Sequence, residues 1–160
     1  MNSVQRAATG GNSEEAAATI RGLVRNARTA VLATVRGEDR HPYASLVAIA
    51  PDGRGEPLLL LSALAWHTQN LLHDARASLL IADPAASEDP LAAPRVSLIG
   101  AIARTTHDDA AGWYLAVHPE AKGYAGFNDF AFHRFTIDTA HLVAGFGRIE
   151  TLGRTSLIEP

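Results

Sequence analysis

The chain has 160 residues, which suits one domain, and 47% of them are hydrophobic, so a real core can form. Its net charge of −3 and its scattered Lys and Arg residues argue against a nucleic-acid partner, which would need a basic patch. The absence of cysteine excludes disulfides, thiolate catalysis and cysteine-ligated metals. No apolar run has the length of a membrane span and the N-terminus has no apolar signal region, so we expect a cytoplasmic protein without a membrane partner.

The first third of the chain predicts one helix and three strands. Residues 1–12 add almost nothing to the core, so we expect a flexible N-terminal segment and then a single domain over residues 13–160. Ser13, followed by two glutamates, predicts the start of a helix that ends near Asn26. Short β-rich runs separated by tight turns then predict a three-stranded antiparallel meander of Thr29–Val35, Pro42–Ala50 and Leu58–Leu61.

The stretch LLLLSALAWHTQNLLHDARASLLI, residues 58–81, predicts a strand, a short helix and a strand, because two apolar runs flank leucines at helical spacing. Ser62 stands at the strand-to-helix junction, and His67 and Thr68 fall in the first turn of the helix. Free backbone N–H groups, a hydroxyl and an imidazole at a helix start suit an anion such as a phosphate. The alternative interpretation is structural: Ser62 caps the helix, His67 lies on the surface and Thr68 has no specific role.

The second half predicts three further strands and one helix. Segment 83–94 is rich in proline and acidic residues, as is typical of a surface loop, and it precedes a long strand, Arg95–Arg104, in which Gly100 marks a bend or bulge. A helix then runs from Thr106 to about Val117. The last two strands are predicted at 132–137 and 141–146, joined by a turn at Asp138-Thr139-Ala140.

These elements favour one fold class. The first three strands are joined by turns alone, whereas a parallel α/β sheet would need helices between them. We therefore expect a mainly β protein with peripheral helices, in which six to seven antiparallel strands form a barrel or a strongly curved sheet.

Several familiar kinds of site are not supported by the spacing of their residues. The seven histidines form no i,i+4 pair and no HExxH motif, so no metal site is predicted, although a single histidine would suffice as a haem ligand. Ser45 and Ser62 lack the GxSxG surroundings of a serine nucleophile. The Gly145-Phe146-Gly147 run lacks the third glycine of a dinucleotide fingerprint and is better explained as a bend at a strand end.

A group of polar residues in otherwise apolar strands is the remaining candidate. Tyr43 and Ser45 alternate with Ala44 and Leu46 and so share one side of their strand. Other members of the group lie at the central junction or at a strand start: Ser62, His67, Thr68, Asn70 and Arg95. A ligand with a phosphate and a flat apolar ring would use such a set, and the alternative is that they are separate strand-end and surface polar residues.

The succession of three segments gives these residues a common context. PYASLVAIA, then LLLLSALAWHTQNLLHDARASLLI, then RVSLIGAIAR resembles the FMN-binding split-barrel family that includes pyridoxamine 5′-phosphate oxidase. The sequence is most similar to the haem-utilisation (HugZ-like) branch, which the late segment LVAGFGRIE also resembles. The resemblance covers roughly Thr19 to Glu150 and implies a split β-barrel that binds FMN at the interface of a homodimer.

The resemblance also assigns residues to the cofactor. It implies that FMN is bound through Tyr43, Ala44, Ser45, Leu46, Leu61, Ser62, Trp66, His67, Thr68, Asn70 and Arg95, with haem as a second possible ligand. Trp66 and His67 fall where the oxidase has an Arg-Lys pair on the phosphate, so His67, Thr68, Ser45 and the helix start must supply more of the binding here. The chain also ends without the tryptophan-containing tail of the oxidase.

The implied function is a small flavin-dependent oxidoreductase or a haem-utilisation protein, acting on a small molecule or on haem, with no catalytic side chain identified. The alternative is a non-catalytic haem- or flavin-binding sensor module on the same barrel.

Overall fold

The structure is a computed structural model, and it describes residues 10–82, 87–145 and 147–158. The first helix, α1, spans Gly10–Asn26 and so begins three residues before the predicted start at Ser13. Residues 1–9, most of the predicted flexible segment, lie outside the described residues. Two further helices are α2, Trp66–His73, and α3, Ala110–Val117, with short 3₁₀ turns at Pro119–Gly123 and Arg154–Ser156.

One antiparallel sheet contains all eight strands of the described chain. Their bounds are β1 Thr29–Val35, β2 Pro42–Ala48, β3 Ala50–Pro51, β4 Pro57–Ser62, β5 Arg76–Ala82, β6 Arg95–Arg104, β7 Phe130–Val143 and β8 Ile149–Gly153. The strand order is β2-β1-β5-β6-β7-β4-β3, and β8 pairs with the outer part of β7. The fold-class prediction is confirmed, with one strand more than the predicted maximum.

The sheet curls on itself because its two edge strands are consecutive in the chain. Only Ile49 separates β2 from β3, although these strands stand at opposite ends of the strand order. The side chains that point inward from the curled sheet form the main core, into which α1 packs Ile20. A second apolar cluster lies on the other face of β4, where Leu58 and Leu60 pack against Tyr114 of α3. The core therefore lies inside a split barrel, with helices on its outside and at its ends.

The predicted three-stranded meander is wrong in its third strand. β1 and β2 do form the predicted antiparallel hairpin, with Thr29 opposite Ala48 and Val35 opposite Pro42. β4 pairs instead with β3 and β7. The predicted second strand breaks at Ile49, where the chain leaves one edge of the sheet and joins the other.

The predicted turn at Asp138-Thr139-Ala140 is also wrong, because β7 runs without interruption through it. Ile99 pairs with Thr139 and Gly100 pairs with Ile137, so Asp138 is the extra residue of a bulge. The predicted irregularity at Gly100 is thereby confirmed, and a Cβ there would lie 2.0 Å from the carbonyl oxygen of Thr136.

Three smaller boundaries also differ from prediction. β8 had no predicted counterpart, and the predicted strand over 141–146 ends at Val143 in the structure, while residue 146 is not among the described residues. α3 begins at Ala110 and not at Thr106, and no side chain caps it. Within the described ranges, no helix combines the length and apolar character needed to cross a membrane.

Candidate functional site

The corner between β2 and α2 brings the predicted polar residues together. Ser45 Oγ lies 3.1 Å from His67 Nδ1. The ring centroids of Tyr43 and Trp66 are 5.7 Å apart. Because Tyr43 and Ser45 occupy alternate positions on β2, they share one face of the strand, and that face meets two consecutive residues of α2. These contacts confirm that the four side chains belong to one cluster.

The start of α2 has no side-chain cap. Its N-cap residue is Ala65, and no side chain there accepts a hydrogen bond from the first turn. The Ser62 hydroxyl accepts a bond from the Leu64 N–H at 3.1 Å and donates one to Asp129 Oδ2 at 2.7 Å. The alternative interpretation, in which Ser62 caps the helix, is therefore wrong. Uncapped N–H groups in the first turn leave the positive end of the helix dipole available to an anion.

Three buried polar side chains lie between α2 and β1. Asn70 Nδ2 donates to Thr34 Oγ1 at 3.0 Å, which ties the helix to the strand. Thr68 is 7% exposed, and its buried Oγ1 has no hydrogen-bond partner in the described part of the chain. A buried hydroxyl left unpaired costs about 1–3 kcal/mol. A polar ligand atom that reached Thr68 would remove this cost, so the arrangement fits the phosphate group that the sequence predicted here.

His67 has an electrostatic neighbour that is distant in sequence. Its pKa is lowered first by burial and then by the charge of His133 on β7. The pKa of His133 is also lowered, again mainly by burial, with a smaller contribution from Arg104. His133 pairs with Leu59, a core residue, so both side chains lie on the inward face of the sheet. Both imidazoles are therefore neutral near pH 7 in this environment.

Arg36 adds a cation next to the cluster. Its guanidinium carbon lies 5.3 Å from the centroid of the Trp66 ring, a cation–π distance. It also pairs with Glu38 at 3.8 Å and Asp39 at 3.5 Å. A cavity of about 350 Å³ opens between this hairpin and α2, and its lining includes Arg36, Trp66, Gln69, Asn70 and His73.

The other predicted site residues lie elsewhere in the subunit. Ala44 and Leu46 point to the outer face of β2, and Leu61 is part of the core. Arg95 starts β6, three strands from β2 in the sheet order, and its guanidinium donates to the carbonyl groups of Leu91 and Ala93. Within one subunit Arg95 therefore does not join the cluster around His67.

Sequence reasoning missed three residues of this region, Thr34, Arg36 and Asp129, and considered His133 only as a candidate haem ligand. Thr34 was predictable, because it lies on the same side of β1 as Ala30 and Leu32 and therefore faces the core. The other three reach the corner only through tertiary pairing. No cluster of three or more His, Asp or Glu side chains suited to a metal ion occurs among the described residues.

An antiparallel sheet whose two edge strands are joined through Ile49, with the short helix α2 next to it, is the split barrel that the resemblance predicted. The chain belongs to the CREG β-barrel family, whose characteristic sequence pattern matches residues 11–156.

Individual relatives agree with this assignment. The chain is 40% identical over 109 residues to the chloroplastic non-canonical heme oxygenase HOZ of Arabidopsis thaliana, an alignment that covers 66% of this chain and 32% of that protein. It is 32% identical to a heme binding protein from Mycobacterium smegmatis, with a TM-score of 0.81 and coverage of 94% of this chain and 61% of that one. The chain thus spans about a third of the length of the curated relative it matches.

A more distant structure shares the fold alone. A pyridoxinephosphate oxidase family protein from Clostridium acetobutylicum, related to general stress protein 26, is 16% identical with a TM-score of 0.67, and the alignment covers 89% of this chain and 96% of that one.

Proposed function

We propose that this protein binds FMN with its phosphate at the start of α2 and acts as a small flavin-dependent oxidoreductase. The observation that carries the proposal is the buried, unpartnered hydroxyl of Thr68 beside an uncapped helix start. The Ser45–His67 contact adds two polar groups next to the same turn. Backbone N–H groups, a hydroxyl and an imidazole are a suitable donor set for a phosphate dianion.

The rest of β2 is suited to the remainder of the cofactor. Its backbone from Tyr43 to Leu46 would run along the ring system and the ribityl chain, while Tyr43 and Trp66 give the corner an aromatic wall. FMN, when bound, would supply two-electron redox chemistry, and the protein would supply binding, orientation and electrostatics. His67, whose pKa is lowered mainly by burial, would be a proton acceptor next to the cofactor. A cytoplasmic location stays a prediction.

The outer face of the sheet supports a homodimer. Leu46, Val31 and Leu80 stand in one cross-strand row and are 73%, 38% and 41% exposed. Ile99, two strands from β1, is 49% exposed on the same face. Because Ala44 and Leu46 share β2 with Tyr43 and Ser45, a second copy seated on this face would lie next to the cofactor. We therefore propose two FMN per dimer, related by the two-fold axis, with Arg95 reaching the flavin of the partner subunit.

The direct test compares FMN with riboflavin, which has no phosphate. The purified protein is titrated with each flavin, and quenching of flavin fluorescence gives both affinities. We expect FMN to bind on the order of 100-fold more tightly, because two or more charge-assisted hydrogen bonds are worth about 1.5–3 kcal/mol each. Equal affinities would overturn the phosphate assignment.

Two further measurements separate the parts of the proposal. Bleaching of the bound flavin by NAD(P)H and its reoxidation by an acceptor indicate an enzyme, whereas a flavin that never turns over indicates a binding module. Light scattering on dilute protein tests the dimer, since a stable monomer that holds FMN as tightly as the concentrated sample contradicts the interface.

Haem binding is the second candidate, favoured by the names of the Arabidopsis and mycobacterial relatives. Two histidines on β7 are candidate ligands. His133 Nδ1 lies 2.9 Å from the Ala131 carbonyl oxygen, so Nδ1 carries the proton and Nε2 keeps its lone pair for a metal. His141 Nδ1 lies 2.9 Å from Thr151 Oγ1. Haem titration should give a Soret shift that His133→Ala or His141→Ala alters, and a shift that survives both places the ligand elsewhere.

A further inference from the structure

Two half-buried imidazoles interact electrostatically: His67 in the first turn of α2, at the proposed phosphate site, and His133 on β7. We propose that binding of a phosphate at the start of α2 is accompanied by the uptake of one proton. His67 holds this proton, and His133 does not take up a second one. This inference rests on the proposed function and concerns how that site is regulated.

The geometry around His67 gives the proton a place. Its Nδ1 is within hydrogen-bond distance of Ser45 Oγ, so the ring is held in position by a residue of β2. Thr68 follows it directly in the first turn, where the N–H groups have no side-chain cap. A dianion bound at this turn favours the charged imidazolium, because an opposite charge at close range stabilises the protonated form.

His133 explains why only one proton is held. Its Nδ1–H is committed to the Ala131 carbonyl, so a second proton would have to bind at Nε2. Arg104 is its neighbour on β6 and is already cationic. An imidazolium at His133 would therefore be repelled by the charge of Arg104 and by that of a protonated His67, and repulsion between like charges disfavours it.

The other ionisable groups around the pair do not compensate for a proton in the ligand-free protein. Tyr43 on β2 and Arg36 on the β1–β2 hairpin both contact Trp66, and Arg36 is a cation. The acid on the β7 side, Asp129, accepts the hydroxyl bond of Ser62. Glu38 and Asp39 on the same hairpin pair with Arg36, so among the described residues no acid pairs directly with His67.

The consequence is a pH-dependent affinity that distinguishes two flavins. Burial lowers the pKa of His67 in the free protein, and the phosphate raises it again on binding. Between the two pKa values, the affinity for FMN should fall by up to about tenfold for each unit of rising pH. Riboflavin affinity should stay constant over the same range. Measurements above about pH 7 keep the FMN phosphate itself almost entirely doubly charged, because its second pKa is about 6.

Calorimetry in two buffers of different ionisation enthalpy counts the protons taken up on binding. We expect uptake approaching one proton for FMN and none for riboflavin. His67→Gln should abolish the uptake while weaker FMN binding persists. His107→Gln, an exposed histidine next to α3, is the matched control and should change neither result.

Two outcomes would overturn the proposal: equal uptake for FMN and riboflavin, or uptake that persists in His67→Gln. If FMN does not bind at all, the proposed function fails, and the pair is then tested by imidazole NMR titrations with inorganic phosphate. Phosphate should raise the pKa of His67, and His133→Gln should raise it in the ligand-free protein. A His67 pKa that neither change moves would overturn the coupling, and this measurement does not need a folded His67 variant.

Discussion

The two ends of β4 carry buried polar groups in opposite conditions. At the Pro57 end, Asp52 accepts the N–H groups of Arg54 and Glu56, both at 2.9 Å, and lies 2.9 Å from Arg134 Nε. Glu56 accepts the Ile137 N–H at 3.2 Å and pairs with Arg154. At the Ser62 end, the hydroxyl of Thr68 has no partner among the described residues.

This difference separates polar groups that stabilise the fold from polar groups available to a ligand. A buried carboxylate with a cation and backbone donors around it has all its interactions within the chain. A buried hydroxyl without a partner lowers stability, and its cost is removed only by something that the chain does not contain. The expectation is that changes at the first end affect stability and changes at the second affect ligand binding.

A substitution that removes a buried charge at the Pro57 end of β4 should have the largest effect on the free energy of unfolding. Glu56→Ala leaves the Ile137 N–H and Arg154 without their acceptor, and loss of one partner from a buried pair costs on the order of 3–5 kcal/mol. Urea unfolding should show this loss, while FMN affinity of the folded variant stays at the wild-type value. Glu14→Ala, at an exposed pair with Arg21, is the control and should cost under about 1 kcal/mol. A similarly small cost for Glu56→Ala would contradict the comparison.

Removing the unpaired end should spare the fold and weaken the ligand. His67→Ala combined with Thr68→Ala should reduce FMN affinity by about 3 kcal/mol, since each removes one bond to the phosphate worth at least about 1.5 kcal/mol. Fluorescence titration measures the affinity, and thermal unfolding checks the fold. Thr106→Ala combined with His107→Ala changes an exposed Thr-His pair and serves as the control. If the variant with His67→Ala and Thr68→Ala still binds FMN at the wild-type stoichiometry, the assignment of the phosphate site to the start of α2 is wrong.

The smallest expected effect is a pH dependence of stability at the same end. The pKa values of His67 and His133 are lowered in the folded protein, so the unfolded chain binds more protons as the pH falls through about 6.5. Their stabilising contribution is present above that pH and is lost below it, by at most about 1.4 kcal/mol per histidine for each pH unit. The variant His67→Gln with His133→Gln should show a shallower loss in unfolding between pH 6.5 and 5. If the dependence of stability on pH is unchanged in the variant, neither histidine changes its pKa on folding.

The sequence allowed the hairpin and the polar corner to be predicted because both depend on local pattern. Alternation along β2 placed Tyr43 and Ser45 on one side, and helical spacing after Ser62 placed His67 and Thr68 in a first turn. Both inferences needed only neighbouring residues, and the contacts between them confirm that the four side chains belong to one corner.

The errors all lie where distant segments decide the structure. Asp138-Thr139-Ala140 has the composition of a turn, yet β6 keeps it in a strand through the bulge opposite Gly100. Leu58–Leu61 was predicted as the third strand of a meander. Both faces of this strand are apolar and buried, which suits its position between β3 and β7. The position of His133 in the fold depends on the register between β4 and β7, and no local sequence pattern indicates that register.

Ile49 makes closure of the barrel a late event in folding. Its N–H donates to the Arg28 carbonyl at 3.0 Å, and its carbonyl lies 2.8 Å from Nε2 of His118. β3 pairs with its near neighbour β4, with Ala50 opposite Leu58, whereas pairing β4 with β7 places Leu58 opposite Arg134, about half the chain away, and such non-local contacts slow folding. We expect the β1–β2 hairpin to form early and the Ile49 corner to lock only when β7 and the end of α3 have arrived. The amides that pair β4 with β7 should then be among those that gain protection from hydrogen exchange last during refolding.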